Sequence, residues 1–355
     1  MEDASVLSHS ENYVRTVRMT GPEWIPASVF ISGGAWQLLR QDLDEVCSRH
    51  PFIFPGFKKP SRDWKTWEVS PAPGATRRDA WGALWEFDLG GLDGIVLEHP
   101  LDDWAKFASF SAPDPMKYTD QGERDLLEQC ENIRRAKERG DLPRAGLDHG
   151  YFLMRLWYLR GFENLMLDIA TDEPKLHELV EMVARRNVAI VREYVKAGAG
   201  VVTFPEDIGT QTASILSPKD FRKWVKPSYK RMMSPVKEAG GIVTTHSDGY
   251  IMELVDDLLD CGCDVLNPQD LCNGVDEIAR AIKGRCCIDL DIDRQKIVPF
   301  GTRKEIHDLI EEEVRKLGSP RGGLMFVCGI YPPTPAENVD AVCEALEKFR
   351  TYWWD

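Results

Sequence analysis

Residues that could take part in catalysis follow five predicted β-strands, each at the point where the strand ends. The predicted strands are Val201–Phe204, Ile242–Thr245, Asp264–Asn267, Arg285–Leu290 and Gly323–Val327. The polar residues that follow them, or end them, are Glu206, Asp207, His246, Asp248, Gln269, Asp270, Asp291, Asp293, Cys328 and Tyr331. Because reactive groups collect at the carboxyl ends of the strands in a parallel barrel, we expect these side chains to surround one cavity.

A zinc ion is one use for this set. His246, Asp248 and Cys328 supply nitrogen, oxygen and sulfur atoms, and a catalytic zinc has three protein ligands and one open position. The H-x-D spacing places His246 and Asp248 on one loop, while the Cys328 thiolate arrives from another strand end. Glu206 or Asp207 could replace one ligand or lie around the ligands. The sequence therefore predicts a metal site of His246, Cys328 and either Asp248 or Glu206.

Acid catalysis without a metal is the second chemistry that these strand-end residues could support. Clustered carboxylates raise one another's pKa, so that one of them stays protonated near neutral pH and can act as a general acid. Glu206, Asp207, His246 and Asp248 are the candidate catalytic residues under either chemistry. The sequence leaves the choice between acid and metal open.

Each candidate also has a structural interpretation. His246 could be a hydrogen-bonded core histidine, and Cys328 a small buried apolar side chain. Asp207 and Asp293 could cap the helical segments that follow them. Carboxylates at four of the five strand ends, with a histidine at one of them and a cysteine at the fifth, favour a functional site.

A regular alternation of strands and helices, beginning near residue 141, must position these side chains. A long helix follows Pro174 and ends at Gly198, and a second helical region begins at the N-cap Ser217, with kinks or breaks expected at Pro227 and Pro235. Further helices are predicted over 250–260, 275–282, 302–316 and 335–350. We predict an α/β fold, a closed (β/α)8 (TIM) barrel, with an open doubly wound sheet as the alternative. No glycine-rich nucleotide-binding motif follows a strand.

The first 120 residues have a different character, rich in Pro, Gly and Trp. Seven of the eleven tryptophans lie there: Trp24, Trp36, Trp64, Trp67, Trp81, Trp85 and Trp104. Short apolar runs such as Ile25–Ile31 and Gly94–Leu97 are candidates for the first strands. We predict that residues 1–355 form a single barrel domain in which about residues 1–120 include a loop-rich, Trp-rich cap. A functional alternative makes these rings an aromatic wall for a flat substrate.

The charge balance of the chain limits the kinds of molecule it is expected to bind. With 44 basic and 58 acidic side chains the net charge is -14, and the isoelectric point is about 5.1. This balance argues against nucleic acid or an anionic membrane surface as partner, because both require clustered Lys and Arg. Nine irregularly spaced cysteines suggest no disulfide framework, and the polar N-terminal residues do not resemble a signal peptide. We expect a cytoplasmic protein.

The chain resembles the uroporphyrinogen-decarboxylase-like superfamily, in particular its corrinoid-dependent methyltransferase branch. The segments that carry the resemblance are DAWGALWEF (79–87), EHPLDDW (98–104), WYLRGFENLMLDI (157–169), FPEDIG (204–209), ILSPKDFRKWVKPSYKRM (215–232), GGIVTTHSDGY (240–250), CGCDVLNPQ (261–269), DIDRQKIVPFGTRKEI (291–306) and GGLMFVCGIYPPTPAENVDA (322–341). The resemblance implies a (β/α)8 barrel. The Arg-rich motif with which the decarboxylase branch begins is not present in this sequence.

The methyltransferase branch holds zinc with H-x-C on one loop and a later cysteine. His246 and Cys328 match these positions, whereas Asp248 stands where the first cysteine would be. An oxygen ligand makes zinc harder and more Lewis acidic, which suits a methyl donor with an oxygen leaving group. The H-S-D-G sequence is similar to relatives that demethylate methoxylated aromatics and pass the methyl group to a corrinoid protein. We therefore expect an O-demethylase-type methyltransferase whose substrate contacts include Trp157, Tyr250 and Tyr331.

The corrinoid is expected on a partner protein, because the chain has no D-x-H-x-x-G lower-ligand motif. Two alternatives stay open. A decarboxylase of a small aromatic or tetrapyrrole acid would need a basic side chain at the barrel mouth, for which Arg155 and Arg160 are the candidates. A non-catalytic barrel that binds a tetrapyrrole or a partner would have lost its metal site, with Asp248 as the trace of that loss.

Overall fold

The computed structural model describes residues 7–88, 94–120, 122–123 and 125–354. The chain divides into two compact units. Unit 1 comprises Met1–Ala75, Phe87–Asp93 and Asn267–Asp355, and unit 2 comprises Thr76–Glu86 and Gly94–Leu266. Unit 1 is thus assembled from segments that are far apart in the sequence, whereas most of unit 2 is one continuous stretch.

Ten β-strands lie within the described residues. In chain order they are β1 (Ala27–Ile31), β2 (Ala75–Arg78), β3 (Leu84–Phe87), β4 (Ile95–Glu98), β5 (Arg144–Gly146), β6 (Val201–Pro205), β7 (Ile242–Ser247), β8 (Val265–Pro268), β9 (Cys287–Asp291) and β10 (Leu324–Ile330).

Fifteen α-helices and two short 3₁₀ helices, Trp104–Ser109 and Met252–Leu254, lie within the same residues. The α-helices are α1 (His9–Arg18), α2 (Gly33–Leu39), α3 (Gln41–Arg49), α4 (Leu126–Glu138), α5 (Leu153–Arg160), α6 (Phe162–Thr171), α7 (Pro174–Ala197), α8 (Pro218–Trp224), α9 (Lys226–Glu238), α10 (Val255–Asp260), α11 (Asp270–Asn273), α12 (Val275–Ala281), α13 (Ile297–Phe300), α14 (Arg303–Leu317) and α15 (Ala336–Phe349). In the described part of the chain, none of the helices combines the length and apolar character that a bilayer crossing requires.

Unit 2 contains the parallel strands β5, β6 and β7, which pair in this order. Arg144 of β5 lies opposite Val201 of β6, and Val201 lies opposite Ile242 of β7. Helices α5, α6 and α7 connect β5 to β6, and α8 and α9 connect β6 to β7. Most residues of β6 and β7 are buried, as expected of parallel strands covered on both faces.

Helices α7 and α8 begin at the predicted signals, whereas the helix predicted over 250–260 is shorter than expected, since α10 begins only at Val255. α7 begins at Pro174 and is followed by Gly198, whose φ of 98° lies in the left-handed region that glycine adopts at low cost. The Ser217 side chain accepts a backbone N–H at the start of α8. The helical region that follows is divided into α8 and α9, because Pro227 fits the first turn of a new helix and not the interior of α8. Pro235 lies inside α9 without ending it.

Unit 1 contains β1, β10 and β9, which are parallel and pair in this order. Ala27 lies opposite Phe326, and Leu324 lies opposite Ile288. Helices α13 and α14 connect β9 to β10, and α14 begins with a capping box at Thr302, the predicted start of this helix. The same strand–helix alternation therefore builds both units.

The parallel strands number seven within the described residues, namely β1 and β5 to β10, where the (β/α)8 prediction has eight. β8 has its first two residues in unit 2 and its last two in unit 1. The predicted early strand Gly94–Leu97 falls in β4, which pairs antiparallel with β3 in a separate three-stranded sheet. The α/β alternation is confirmed, whereas an eighth parallel strand is not present in the described part of the chain. The single-domain organisation stays a prediction.

Two predicted strands are longer than expected. β7 continues to Ser247 and β10 to Ile330, so His246 and Cys328 lie within strands and not after them. The reason is that parallel pairing extends further than the β-branched runs, since Pro205 still lies opposite His246.

The N-terminal tryptophans are divided between the two units, and four of the seven are buried. Trp24, Trp36, Trp64 and Trp67 belong to unit 1, and Trp81, Trp85 and Trp104 belong to unit 2. Trp36 and Trp64 are buried and stack with their ring centroids 5.7 Å apart. Trp81 and Trp85 are buried and donate their indole N–H groups to buried carboxylates. A single Trp-rich cap is therefore not confirmed, because these rings serve as packing groups in two separate units.

A buried ion network joins distant segments of unit 2. The Arg155 side chain is 0 % exposed, and its Nη1 lies 2.6 Å from Asp79 Oδ2. Its Nη2 lies 3.4 Å from Asp120 Oδ2, and Arg186 Nη1 lies 2.8 Å from the other Asp120 oxygen. Charges removed from water need partners of opposite sign. Asp79 and Arg155 therefore constrain how the start of unit 2 packs on α5.

We predict that Arg155→Met lowers the free energy of unfolding by about 3–5 kcal/mol, because it leaves the Asp79 carboxylate buried without its partner. The matched control is Arg134→Met on α4, since Arg134 and Glu131 form an ion pair with both side chains largely exposed; its cost should be below about 1 kcal/mol. Urea unfolding of both variants measures the difference. Equal losses would show that the buried Arg155–Asp79 pair stabilises the fold no more than the exposed Arg134–Glu131 pair.

Candidate functional site

The pairing of β6 with β7 brings four predicted catalytic residues to one end of these strands in unit 2. Pro205 lies opposite His246, and the Glu206 amide donates to the His246 carbonyl oxygen over 3.1 Å. Asp207 follows Glu206 directly, and Asp248 follows the last residue of β7. Strand pairing thus brings these four residues together, and their catalytic roles stay predictions.

Asp207 Oδ1 is the common point of this cluster. It accepts the backbone N–H of Asp248 over 3.0 Å and lies 3.3 Å from Nε2 of His149 and 3.6 Å from Nε2 of His246. Asp248 Oδ1 lies 3.4 Å from the same His246 nitrogen. Burial acts to raise the pKa of Asp207, but the hydrogen bond and charge of His149, the charge of His246 and the Asp248 N–H outweigh it, so this pKa is lowered. Asp207 is therefore a carboxylate at neutral pH.

His149 is the member of the cluster that the sequence did not indicate. It lies in the loop between β5 and α5, and its ring centroid is 5.9 Å from that of His246. β5 has only three residues, R-A-G, without the β-branched or aromatic run that predicts a strand. Had this strand been identified, the D-H-G sequence at 148–150 would have counted as another strand end.

Glu206 is buried, and its contacts hold the start of α5. Its Oε1 accepts the backbone N–H of Phe152 over 2.9 Å and that of Met154 over 2.8 Å, and its Oε2 accepts the hydroxyl of Tyr229. Burial raises the pKa of Glu206 to about 7, against the opposite effect of these three donors. The loop that carries His149 therefore leads into a helix start held by Glu206.

The loops after β6 and β7 touch backbone to backbone at Gly209 and Gly249. A Cβ on Gly209 would lie 2.6 Å from the backbone N of Tyr250, and a Cβ on Gly249 would lie 2.3 Å from the Gly209 carbonyl carbon. The Tyr250 N–H donates to the Thr210 carbonyl over 2.7 Å. Only glycine permits this approach, which fixes one loop against the other.

Two predicted substrate contacts also lie in unit 2. Trp157 is half-buried on α5, and its ring packs edge-on against Tyr158 and Phe162 with centroids 5.6 and 5.7 Å apart. Tyr250 is half-buried in the loop after β7, close in sequence to Asp248. A role in substrate binding stays a prediction for both residues.

Cys328 and Tyr331 belong to unit 1. Cys328 is 0 % exposed within β10, and burial, with the charge of Asp291 next, raises its thiol pKa well above the ordinary value. Tyr331 follows β10, and its hydroxyl accepts from Arg294 Nη1 over 3.1 Å. Arg294 Nη2 in turn lies 2.9 Å from Asp291 Oδ2. Within unit 1, Cys328 has the surroundings of a small buried side chain, and its role as a metal ligand stays a prediction.

The other strand-end carboxylates of unit 1 have local partners. Asp293 accepts the backbone N–H groups of Gln295 and Lys296 in the turn that precedes α13; the predicted N-cap position is not occupied by Asp293, because α13 begins at Ile297 and its N-cap residue is Lys296. Asp270 accepts the Asp293 N–H over 2.9 Å and is buried near Glu313 of α14. Burial, followed by the charge of Asp270, raises the pKa of Glu313 well above the ordinary value.

The uroporphyrinogen decarboxylase (URO-D) family model matches residues 79–349. This chain therefore belongs to the uroporphyrinogen decarboxylase (URO-D) family, as the resemblance of its motifs predicts.

Curated relatives include both decarboxylases and methyltransferases. A uroporphyrinogen decarboxylase of Thermus thermophilus is 27 % identical over 232 residues, which cover 61 % of this chain and 63 % of the relative. The methylcobamide:CoM methyltransferase MtaA of Methanosarcina barkeri is 24 % identical over 180 residues, which cover 48 % of each chain. This chain thus spans less than two thirds of the length of these relatives.

Among solved structures, a methyltransferase from Methanosarcina mazei matches with a TM-score of 0.64. The match has 16 % sequence identity and covers 96 % of this chain and 98 % of the other. At this level of identity the likeness shows a shared fold.

We predict that Glu206→Ala speeds amide hydrogen exchange at Phe152 and Met154, because both N–H groups and the Tyr229 hydroxyl lose their acceptor. Each unsatisfied buried group costs about 1–3 kcal/mol. Glu206→Gln keeps the Oε1 acceptor and should have the smaller effect. The measurement is residue-resolved amide hydrogen exchange, with the amides of α7 as an internal reference. Unchanged exchange at both amides would contradict the role given to Glu206.

We also predict that Glu313→Gln removes a pH-dependent loss of stability. A carboxyl group whose pKa is raised above 4.5 in the fold binds its proton more tightly than in the unfolded chain. Its contribution to stability is therefore present at low pH and lost as the pH rises. The unfolding free energy of Glu313→Gln, relative to the parent, should increase from about pH 4 to about pH 7. Glu312→Gln, at an exposed position of the same helix, is the control, and an identical profile for the two variants would contradict the prediction.

Proposed function

We propose that this chain is a corrinoid-dependent methyltransferase of the O-demethylase type. It would move a methyl group from a small methoxylated aromatic donor to the cobalt of a corrinoid partner protein. The supporting observation is the cluster of Asp207, His246 and Asp248 in unit 2, which presents nitrogen and oxygen atoms where the resemblance places a thiolate. Family membership, the MtaA relative and the fold shared with a methyltransferase support methyl transfer.

The chemical difficulty lies in the leaving group. An aryl oxide leaves poorly unless its oxygen receives a proton or binds a Lewis acid as the methyl group departs. The carboxylates of Asp207 and Asp248 lie 3.6 and 3.4 Å from His246 Nε2 and stabilise a positive charge on that imidazole. In this proposal, His246 holds the proton at Nε2 and delivers it to the departing oxygen, while Asp207 remains ionised.

Zinc is the alternative activator that the resemblance implies. The residues around His246 fit zinc chemically, because imidazole nitrogens and carboxylate oxygens are ordinary zinc ligands. When bound, zinc would supply Lewis acidity toward an oxygen atom. The sequence-based ligand set of His246, Cys328 and Asp248 or Glu206 stays a prediction. The corrinoid, supplied by a separate protein, would provide the nucleophile.

The decarboxylase alternative loses its candidate basic residues. Arg155 and Arg160 both lie in buried ion pairs within unit 2, the former with Asp79 and the latter with Asp168 at 2.8 Å. The Arg160 guanidinium also lies 4.1 Å from the Trp104 ring centroid. Since these arginines neutralise aspartates of the fold, they are poor candidates for gripping a substrate carboxylate.

The test follows the cobalt spectrum. Reduced corrinoid carrier, this protein and a methoxylated phenol should convert the Co(I) spectrum to that of the methylated Co(III) form. We predict that His246→Ala slows this conversion at least about 100-fold, because positioned proton donors contribute about 10²–10⁴-fold.

His177→Ala provides the matched control, since His177 is an exposed histidine of α7. It should retain the parental rate. No cobalt change with the parent protein would reject methyl transfer from this donor class. Release of carbon dioxide without cobalt would favour decarboxylation, and tight corrinoid binding without turnover would favour a binding protein.

A further inference from the structure

We propose that His149, Asp207 and His246 are the protein ligands of a divalent metal ion in unit 2, and that zinc is the ion this set suits. This assignment rests on the proposed function and selects its zinc alternative: with His246 Nε2 bound to the ion, the Lewis acidity of zinc, and not a proton on His246, would activate the leaving oxygen. It replaces the sequence-based set, in which Cys328 and Asp248 or Glu206 accompany His246.

The distances carry the assignment. One atom from each residue, Nε2 or Nδ1 of the histidines and a carboxylate oxygen of Asp207, lies within 4.8 Å of the other two. Asp207 Oδ1 is 3.3 Å from His149 Nε2 and 3.6 Å from His246 Nε2. Zinc bonds of about 2.0–2.1 Å at tetrahedral angles put neighbouring ligand atoms about 3.3–3.4 Å apart. The 3.3 Å separation is also that of a long hydrogen bond between His149 and Asp207, whereas the 3.6 Å separation lies beyond the usual N–H···O range of about 2.7–3.2 Å.

The three ligands come from three elements whose relative positions are fixed. His149 belongs to the β5–α5 loop, Asp207 follows β6, and His246 lies in β7. The Asp248 amide donates to Asp207 Oδ1 over 3.0 Å, which orients the carboxylate. The Glu206 side chain holds the start of α5, and its amide bonds the His246 carbonyl. Such outer contacts orient metal ligands before the ion arrives.

The set also leaves room for a reactant. The side chains of His149, Asp207 and His246 are 35 %, 24 % and 21 % exposed, so an ion can enter. Two imidazoles and one carboxylate with an open fourth position are a ligand set of catalytic zinc. A centre without thiolate is harder than one with two cysteines, and it favours an oxygen atom in the open position.

The first experiment measures metal content without any methyl donor. The 355-residue protein is stripped with chelator and dialysed against graded zinc, and bound metal is determined by mass spectrometry. The parent should bind one zinc per chain, and His149→Ala, Asp207→Asn and His246→Ala should each weaken binding at least about 100-fold. Cys328→Ser and His177→Ala should bind as the parent does. Circular dichroism verifies that each variant is folded.

Asp248→Asn separates orientation from ligation. This variant keeps the amide that bonds Asp207, so zinc binding should stay within about tenfold of the parent. A loss as large as that of Asp207→Asn would place Asp248 in the ligand set and overturn the assignment. No zinc binding by the parent would overturn it as well.

Cobalt(II) substitution identifies the ligand atoms directly. The Co(II) form should show the visible bands of a four- or five-coordinate ion and no thiolate-to-cobalt charge-transfer band in the near ultraviolet. A charge-transfer band that disappears in Cys328→Ser would show sulfur ligation and overturn the assignment. Metal binding with the expected pattern in a protein that transfers no methyl group would leave the assignment standing while the proposed function fails. Methyl transfer by a protein that binds no metal would overturn the metal assignment and leave the proposed function standing.

Discussion

The Glu206 carboxylate is the constraint on which the candidate site depends. A buried carboxylate is tolerated only when its oxygens have donors, and Glu206 takes these donors from two elements, the start of α5 and Tyr229 of α9. Its own amide meanwhile bonds the His246 carbonyl in β7. Since Asp207 is the next residue along the chain, these bonds set the position of the Asp207 carboxylate relative to both histidines. A residue that reaches no solvent thus determines the geometry of those that do.

Part of this site was predictable because strand ends can be identified from local sequence. The β-branched runs Val201–Phe204 and Ile242–Thr245 identify β6 and β7, and the polar residues after them are then natural candidates. His149 could not be found in this way, because β5 is short and contains glycine. The pairing of Arg155 with Asp79 could not be found either, since a long-range ion pair leaves no periodic signal in either segment. The prediction of eight parallel strands was wrong for the described residues. The segment Gly94–Leu97 falls in β4, which pairs antiparallel with β3 and not with the parallel strands.

The local charges around Asp207 in unit 2 differ from the acidic net charge of the whole chain. The net charge is -14, yet around Asp207 two histidines accompany two carboxylates within a few ångströms. Their attraction keeps Asp207 ionised although burial opposes its charge. In unit 1, burial holds Cys328 as a thiol. Within unit 2, the Asp207 carboxylate is therefore available as a hard anionic oxygen ligand.

The contact between Gly209 and Gly249 affects how this framework can evolve. The main chains after β6 and β7 approach so closely that a methyl group at either position would collide with backbone atoms, which cannot turn aside as side chains do. The side chains of Asp207 and Asp248, in contrast, project from these loops, and that of His246 projects from the end of β7, so the path of the main chain is already set for all three. Within this framework, a new reactivity can arise by exchanging single side chains on an unchanged backbone, whereas an insertion or a bulkier residue at the two glycines would disturb every reacting group at once.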